Sequence, residues 1–356
     1  MFRGFEHAAM RRAIELALLG GKKVFPNPRV GAVIISSDGE TVSEGFHAFH
    51  GGAHAERNAL ANAGDVTGCT MVVTLEPCSH HGKTPPCAEA IADSGISRVV
   101  VGLTDPNPLV AGEGIKFLRN RDVDVEVGLF KEEVENLNEI YLHHIATGRS
   151  FVHLKMAGTL DGRSAAADGS SRWITGEESR RKVHEFRRSS HAVLVGRGTA
   201  VTDDPELTAR DVQCAEEDQP VRIVLARREL PFDLKLLNSP GRTVVVTHRR
   251  RDLPGSIEVW RGIETLTQLL ARTAREGLGH ILCEGGSSLA ASLLREQLVD
   301  RLSIFTAPAV LGSTGSPLLG DLGIEEICDI IRMENVTVTR FGNDILTEGR
   351  VVYRAD

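Results

Sequence analysis

His54-Ala55-Glu56, Pro77-Cys78 and Pro86-Cys87 place one imidazole, two thiols and a carboxylate along a short stretch of chain. A neutral imidazole and two thiolates fill three corners of a zinc tetrahedron and leave the fourth for water, which separates a catalytic zinc from a closed structural one. His54, Cys78 and Cys87 are therefore the candidate ligands of one metal ion per chain, and Glu56 is left to move protons.

Outward from this motif the pattern is that of a layered α/β domain. It predicts a helix from about Phe5, a strand at Val30–Ser36, a Ser37-Asp38-Gly39 turn and a second strand reaching Phe46. A helix from His54 to near Gly64, a buried strand at Thr70–Leu75, a helix from Pro86-Cys87 through Ser94 and a strand at Arg98–Leu103 follow. His54 and Glu56 thus fall in the first turn of one helix, and Cys87 opens another. Helix N-termini carry partial positive charge that favours thiolate over thiol, and a proline before a cysteine presets the entry into a helical turn.

A helical pattern at Lys131–Ile145 ends at Thr147-Gly148, and a new strand at Phe151–Met156 then leads into Gly158-Thr159-Leu160-Asp161-Gly162-Arg163. The domain boundary is placed there, giving domains at 1–147 and 148–356. The second part alternates again, with strands at Ala192–Val195, Val221–Leu225, Thr243–Thr247, His280–Cys283 and Leu302–Phe305. It closes on β-like segments at Glu334–Phe341 and Asp344–Tyr353, separated by Gly342-Asn343.

The 356 residues, 41% hydrophobic and 25% charged, suit about two globular domains. A net charge of −7 gives no global attraction for nucleic acid or an anionic membrane, so a small-molecule substrate is favoured. Met1–Gly21 mixes charges with apolar residues, unlike a signal peptide, and no run of about 18 apolar residues is present to span a bilayer. A cytoplasmic protein is expected, its six cysteines reduced, with Cys69, Cys214, Cys283 and Cys328 as small buried hydrophobes.

In a zinc deaminase, zinc-activated water attacks the amino-bearing ring carbon while a non-ligand Glu relays the proton to the ring nitrogen and the leaving amine. Two thiolates already neutralise the dication, which leaves more for a local base to do. The alternative is a closed zinc site with Cys69, His80 or His81 as fourth ligand. Structural sites usually use short Cys-x-x-Cys knuckles, whereas eight residues separate Cys78 from Cys87; the same spacing departs from the short form of the nucleobase-deaminase signature.

The insert explains the departure. Residues 77–87, Pro-Cys-Ser-His-His-Gly-Lys-Thr-Pro-Pro-Cys, closely resemble the deaminase segment of the bifunctional riboflavin-biosynthesis deaminase/reductase family, as do Pro26-Asn27-Pro28-Arg29-Val30-Gly31, Gly45-Phe46-His47 and Asp105-Pro106-Asn107-Pro108-Leu109-Val110. The resemblance implies a cytidine-deaminase-like three-layer domain that deaminates a ribosylated diaminopyrimidinone phosphate to the corresponding uracil. It implies substrate contacts from Asn27, His47, Lys83, Asp105 and Asn107. Read alone, Asn27 is a turn former, Asp105-Pro106-Asn107-Pro108 a turn and Lys83 a solvated loop charge.

In the second domain, Gly196-Arg197-Gly198-Thr199-Ala200-Val201 fails the dinucleotide fingerprint at its last glycine, which disfavours a standard Rossmann domain. His280–Ser288 instead runs from a strand through Gly285-Gly286 into a helical pattern at Leu289–Leu298, a fair phosphate cradle. Leu154-Lys155-Met156-Ala157, Leu160-Asp161-Gly162-Arg163, Trp173-Ile174-Thr175-Gly176, Asp203-Asp204-Pro205 and Glu284-Gly285-Gly286 resemble the reductase half of the same family. That half has a dihydrofolate-reductase-like α/β fold and uses NADPH to reduce ribosyl to ribityl.

The resemblance implies cofactor contacts from Ala157, Trp173, Thr199, Gly286, Ser287, Ser288, Leu289, Ala290, Ala291 and Ser292. It implies substrate contacts from Ser171, Arg187, Asp203, Leu207, Arg210 and Glu284. Reducing an open-chain imine or aldehyde needs a nearby proton donor, for which Lys155 and Glu284 are the candidates; the bland reading is that the two form an ion pair. Most of the basic run Arg180, Arg181, Lys182, Arg187, Arg188 is expected to be a solvated face.

The leading expectation is a zinc- and NADPH-dependent bifunctional enzyme that deaminates and then reduces one intermediate, as a homo-oligomer by resemblance. The alternatives are a nucleotide or RNA deaminase with a non-catalytic C-terminal binding domain, and a zinc-stabilised nucleotide sensor. Two Trp, two Tyr and an acidic total disfavour RNA; a free Glu56 disfavours the sensor.

Overall fold

Two strands buried at every position, Thr70–Leu75 and Arg98–Leu103, form the middle of the amino-terminal sheet, as parallel strands covered on both faces must. The structure, a computed structural model, describes residues 2–79, 85–108, 110–248, 255 and 257–353. The chain divides into two compact units, Met1–Gly148 and Arg149–Asp356.

The first unit runs α1 (Gly4–Leu19), β1 (Gly31–Ile35), β2 (Thr41–Phe46), α2 (Ala55–Ala61), β3 (Thr70–Leu75), α3 (Cys87–Asp93), β4 (Arg98–Leu103), α4 (Glu113–Asn120), β5 (Asp124–Val127), α5 (Lys131–Leu137) and α6 (Glu139–Thr147). Its sheet has the order β2-β1-β3-β4-β5, with β1 antiparallel to both neighbours and the rest parallel. Ala55 and Ala59 of α2, Ile91 of α3 and Leu118 of α4 pack with Ile34, Val73 and Val101 on one face. Met10 and Ala13 of α1 pack with Val33, Val72 and Val100 on the other. The result is three layers.

The single helix expected over Lys131–Ile145 is two, broken at Asn138. The buried Asn138 side chain accepts from the Arg29 amide at 2.8 Å and donates to the Arg29 carbonyl at 3.1 Å. An asparagine that bonds backbone elsewhere competes with helix continuation.

The second unit runs β6 (Phe151–Thr159), β7 (Arg163–Ala165), α7 (Glu177–Ser189), β8 (Ala192–Gly196), α8 (Arg197–Asp203), β9 (Val221–Leu225), α9 (Lys235–Asn238), β10 (Thr243–Val246), β11 (Glu258–Trp260), α10 (Leu266–Arg275), β12 (His280–Cys283), α11 (Ser287–Arg295), β13 (Arg301–Ala307), β14 (Ser316–Pro317), β15 (Arg332–Phe341) and β16 (Asp344–Val352). Nine strands form one sheet in the order β11-β10-β9-β8-β12-β6-β13-β16-β15. Pairing is parallel from β11 to β13 and antiparallel beyond. Strand β6 outlasts the expected Phe151–Met156 because β13 stays paired with it as far as Thr159↔Ala307.

One sheet face packs Leu154, Ile281 and Cys283 against Leu293 and Leu294 of α11. The other packs Leu282 and Phe305 against Val183 and Phe186 of α7. Cys69 and Cys283 are buried, as expected; Cys214 is half-buried and Cys328 exposed, so neither is a core hydrophobe. Among the described residues no helix is long and apolar enough to cross a membrane.

Candidate active sites

Each candidate ligand sits where a regular element begins or ends. His54 is the N-cap of α2, Cys87 is the first residue of α3 behind Pro86, and Cys78 follows β3 by three residues. A Cβ on Gly45 of β2 would lie 2.4 Å from both the Ala55 carbonyl oxygen and the Ala59 amide nitrogen. Glycine there lets α2 lie directly on the sheet, which brings His54 to the cysteines.

His54 Nδ1 lies 3.5 Å from Cys78 Sγ and 3.4 Å from Cys87 Sγ, and the three atoms are all within 4.8 Å of one another. Tetrahedral zinc at ordinary bond lengths separates a nitrogen and a sulfur ligand by about 3.6 Å, so these residues fit the ion. Among the described residues no fourth side chain joins them: Cys69 belongs to the hydrophobic core, while His80 and His81 lie outside the described residues.

The donor chemistry agrees. Cys78 is held well below the ordinary thiol range because Cys87, and after it His54, hydrogen-bonds to it, and the Cys87 amide at the start of α3 adds a donor at 3.4 Å. Cys87 is pushed up for the reciprocal reason and by burial. Two thiolates this close need a cation to ionise together. Glu56 is 3% exposed, and burial, with Cys78 next, pushes its carboxyl up to about 7. A group near neutrality can both take and return a proton.

A cavity of about 380 Å³ opens over this cluster, lined by His54, Glu56 and Cys78 together with the expected Asn27, His47, Asp105 and Asn107. Lys83 lies outside the described residues. His47 Nδ1 donates to the Ala53 carbonyl at 3.0 Å, so its Nε2 accepts from the Asn27 side-chain amide at 3.1 Å. Burial lowers the His47 pKa, which suits this neutral form. Asp105 Oδ1 accepts from the Asn107 amide at 2.9 Å and from the Tyr141 hydroxyl at 2.8 Å.

Tyr141 and Glu76 were not anticipated. Among the described residues no cation pairs with the buried Glu76, which accepts from the amides of Asp105 (3.2 Å), Gly112 (3.0 Å), Gly114 (2.9 Å) and Ile115 (3.2 Å). It ties the strand end leading to Cys78 to the loop carrying Asp105 and Asn107. Its place before Pro77-Cys78 was a signal for Glu76; Tyr141 offered none.

In the second unit a cleft of about 1000 Å³ opens at the carboxyl ends of β6, β8 and β12, where open α/β sheets bind ligands. It brings together the expected Lys155, Ala157, Ser171, Trp173, Arg187, Thr199, Asp203, Leu207, Arg210, Glu284, Gly286, Ser287, Ser288 and Leu289. Ala290, Ala291 and Ser292 do not line it. Ala290 and Ala291 are buried, Ala290 in the core beneath α11, and Ser292 bonds back to the Ser288 carbonyl at 3.0 Å. One turn into the helix, side chains face the sheet or their own backbone instead of the cleft.

Lys155 and Glu284 do not form the ion pair that was the bland reading. Glu284 is held in a bidentate pair by Arg187, Nε to Oε1 at 2.6 Å and Nη2 to Oε2 at 2.9 Å, and Arg187 Nη1 donates to the Thr208 carbonyl at 3.1 Å. Burial raises the Glu284 pKa, but Arg187 and then Lys155 more than reverse it, so it stays a carboxylate. Lys155 makes no hydrogen bond or ion pair among the described residues; its ammonium lies 5.7 Å from the Phe305 ring centroid, and burial lowers its pKa. Trp173 is 70% exposed on the cleft wall with the Arg180 guanidinium 4.6 Å from its ring. Arg181 and Arg188 face solvent as expected.

Comparison with known proteins assigns both units. Residues 4–103 match the cytidine and deoxycytidylate deaminase zinc-binding region, and residues 150–347 match the RibD C-terminal domain. The riboflavin biosynthesis protein RibD of Aquifex aeolicus is 40% identical over 97% of this chain and 98% of its own length. That of Escherichia coli is 38% identical over 94% and 96%. The solved structure of Acinetobacter baumannii RibD superposes with a TM-score of 0.89 at 37% identity, covering 98% of this chain and 99% of that one. A Thermotoga maritima diaminohydroxyphosphoribosylaminopyrimidine deaminase/5-amino-6-(5-phosphoribosylamino)uracil reductase gives 0.86 at 36%, covering 97% and 98%. With both halves matched at this identity across nearly its whole length, the chain belongs to the RibD family, the bifunctional deaminase/reductases of riboflavin biosynthesis.

Proposed function

We propose that the first unit deaminates 2,5-diamino-6-ribosylamino-4(3H)-pyrimidinone 5′-phosphate and that the second reduces the ribosyl group of the product to ribityl. The observation that carries the first half is the ligand-spaced His54, Cys78, Cys87 triad with an unligated, buried Glu56 beside it. Zinc, one ion per chain held by those three side chains, supplies the Lewis acidity that makes water nucleophilic at neutral pH.

Glu56 takes one proton from the attacking water and delivers it to the ring nitrogen. It then takes the second from the hydroxyl so added to the ring carbon and passes it to the amine, which leaves as ammonia while the carbonyl forms. Asn27, its amide oriented by His47, presents its carbonyl oxygen to substrate N–H or O–H groups. Asp105 and Asn107, steadied by Tyr141 and Glu76, read the remaining polar edges, with Lys83 as a further contact. A cavity of about 380 Å³ suits one ring with its sugar.

The larger cleft lies at the upper end of the range of ligand sites, about 300–1,000 Å³, and suits a dinucleotide. NADPH supplies the hydride. The amides of the N-cap Gly286 and of Ser287 and Ser288 at the start of α11, with Thr199, would hold its phosphates. Ala157 and Leu289 pack against it, and exposed Trp173 offers a stacking face. Ser171, Asp203, Leu207 and Arg210 contact the substrate. Lys155 donates the proton that the ribosyl nitrogen or oxygen needs, and Glu284 favours its charged form. Arg187 fixes Glu284, which leaves less of its guanidinium for substrate phosphate.

A homo-oligomer is supported by β15, an edge strand on which no residue is buried and Val336 and Val338 are exposed; such an edge is a template for a second copy. Light scattering should give more than the monomer mass, and Val338→Glu should lower it; a wild-type monomer contradicts this. Cysteines without disulfides support a reducing, cytoplasmic setting. Chelation should abolish ammonia release, restored by zinc, while NADPH oxidation on the deaminated substrate continues. Ammonia release by metal-free protein would overturn the deaminase assignment.

A further inference from the structure

The helix that walls the reductase cleft has no cap of its own. The N-cap of α7 is Gly176, which has no side chain to satisfy the first-turn amides. An acceptor for the amide of Gly176 itself comes from the β15–β16 hairpin, 168 residues further along. Asp344, 3% exposed, accepts through Oδ2 from the Gly176 amide at 2.7 Å and from the Ser179 hydroxyl at 2.6 Å. Glu178 in the helix's first turn reciprocates, its Oε2 accepting from the Gly342 amide at 3.0 Å. Asp344 takes the N-cap amide, the bond that the N3 carboxylate makes in a capping box, and the two segments are tied in both directions.

The hairpin is shaped for the task. Strands β15 and β16 pair as far as Phe341↔Asp344, which leaves a two-residue loop of Gly342 and Asn343. Gly342 has φ 59°, and a Cβ there would come within 3.1 Å of Glu178 Oε1. The positive φ is what favours glycine at this turn.

What the cap holds is cleft wall. The residues preceding α7 are the Trp173 loop, pinned a second time by Arg180 Nη1 donating to the Thr175 carbonyl at 2.8 Å. Further along α7, Arg187 grips Glu284. A carboxylate at a helix N-terminus also complements the helix dipole.

We infer that Asp344 is a positioning residue of the reductase site, setting the Trp173 loop and α7 in register with the cofactor cleft. This rests on the reading of that cleft as the NADPH site. Asp344→Ala leaves the Gly176 amide and the Ser179 hydroxyl without this acceptor and should raise KM for NADPH about tenfold with kcat largely retained. Asp344→Asn keeps a carbonyl oxygen for both donors and should recover most of the loss. Ser179→Ala removes one of the two bonds and should give a smaller rise in KM.

Two readouts separate positioning from plain destabilisation. Ammonia release by the same chain should be unchanged, and the NADPH-induced change in Trp173 fluorescence should weaken in Asp344→Ala; the other tryptophan, Trp260, is 2% exposed. Unchanged KM for NADPH in soluble Asp344→Ala overturns the inference. So does an insoluble Asp344→Ala whose Ser179→Ala counterpart binds NADPH like wild type. Failure of the wild type to bind NADPH at all would instead remove the cofactor reading itself.

Discussion

Glu56→Gln should release ammonia about 10²–10⁴-fold more slowly than wild type, the range supplied by a positioned general acid–base group, and still bind one zinc per chain. The amide is nearly isosteric, and the three ligand atoms are held by other residues: His54 at the cap of α2, Cys87 at the start of α3, and Cys78 on the strand end anchored by Glu76. What disappears is a carboxyl that burial brings to about 7. Ammonia assay and metal analysis on one preparation decide the matter. Normal turnover with zinc present would show that the proton moves by another route. Loss of zinc together with activity would make Glu56 part of the metal site's architecture. NADPH oxidation on the deaminated substrate is expected to be untouched.

Lys155→Met should remove the second activity with equal selectivity. Methionine preserves the length and apolar contacts of the stem above Phe305 but carries no proton, so NADPH oxidation with the uracil substrate should fall by about 10²–10⁴-fold while NADPH still binds. Glu284→Gln distinguishes the two candidate acids. The Arg187–Glu284 pair is bidentate and mostly buried, its side chains 12% and 10% exposed; removing one member of a fully buried pair costs about 3–5 kcal/mol, so a smaller loss of stability of the second unit is expected. The Lys155 pKa is lowered by burial and lifted by Glu284. Without that carboxylate it drops further, and the activity that needs protonated Lys155 is lost at a lower pH than in wild type. If Glu284 were the acid, Glu284→Gln would abolish reduction at every pH and Lys155→Met would leave it largely intact.

The clustering of His54, Cys78 and Cys87 was legible because its chemistry is local. His54, Glu56, Cys78 and Cys87 lie at element ends that the apolar runs at Thr70–Leu75 and Arg98–Leu103 announce, and both strands form with the expected bounds. The four described residues expected at the substrate pocket, Asn27, His47, Asp105 and Asn107, which line one cavity, came through resemblance, since Asn27, Asp105 and Asn107 by themselves read only as turn formers. The break at Asn138 was not legible, because its cause is a pair of bonds to Arg29, 109 residues away in sequence. Glu76 and Tyr141 act through loops that only the fold brings near.

The same limit applied in the reductase cleft. A basic residue on a helix reads as a phosphate ligand or a solvated charge, and only tertiary structure commits Arg187 to Glu284. Ala290, Ala291 and Ser292 were grouped with Gly286–Leu289 as a continuous stretch. Once α11 begins at Ser287, helical periodicity turns the later residues away from the cleft. The cap supplied to α7 by Asp344 is the most distant of these relations, and a sequence window around Gly176 holds no hint of it.

On the proposed reading one chain performs two reactions in a fixed order on one molecule. Purified zinc-loaded protein given the diaminopyrimidinone phosphate, with and without NADPH, tests it when ammonia and NADPH absorbance are followed together. Ammonia should appear without NADPH, and NADPH should be consumed only once deaminated product is present, ending in equal amounts of ammonia and oxidised cofactor. NADPH consumption that precedes or proceeds without ammonia would contradict the order, and ammonia release with no NADPH consumption at all would contradict the second activity.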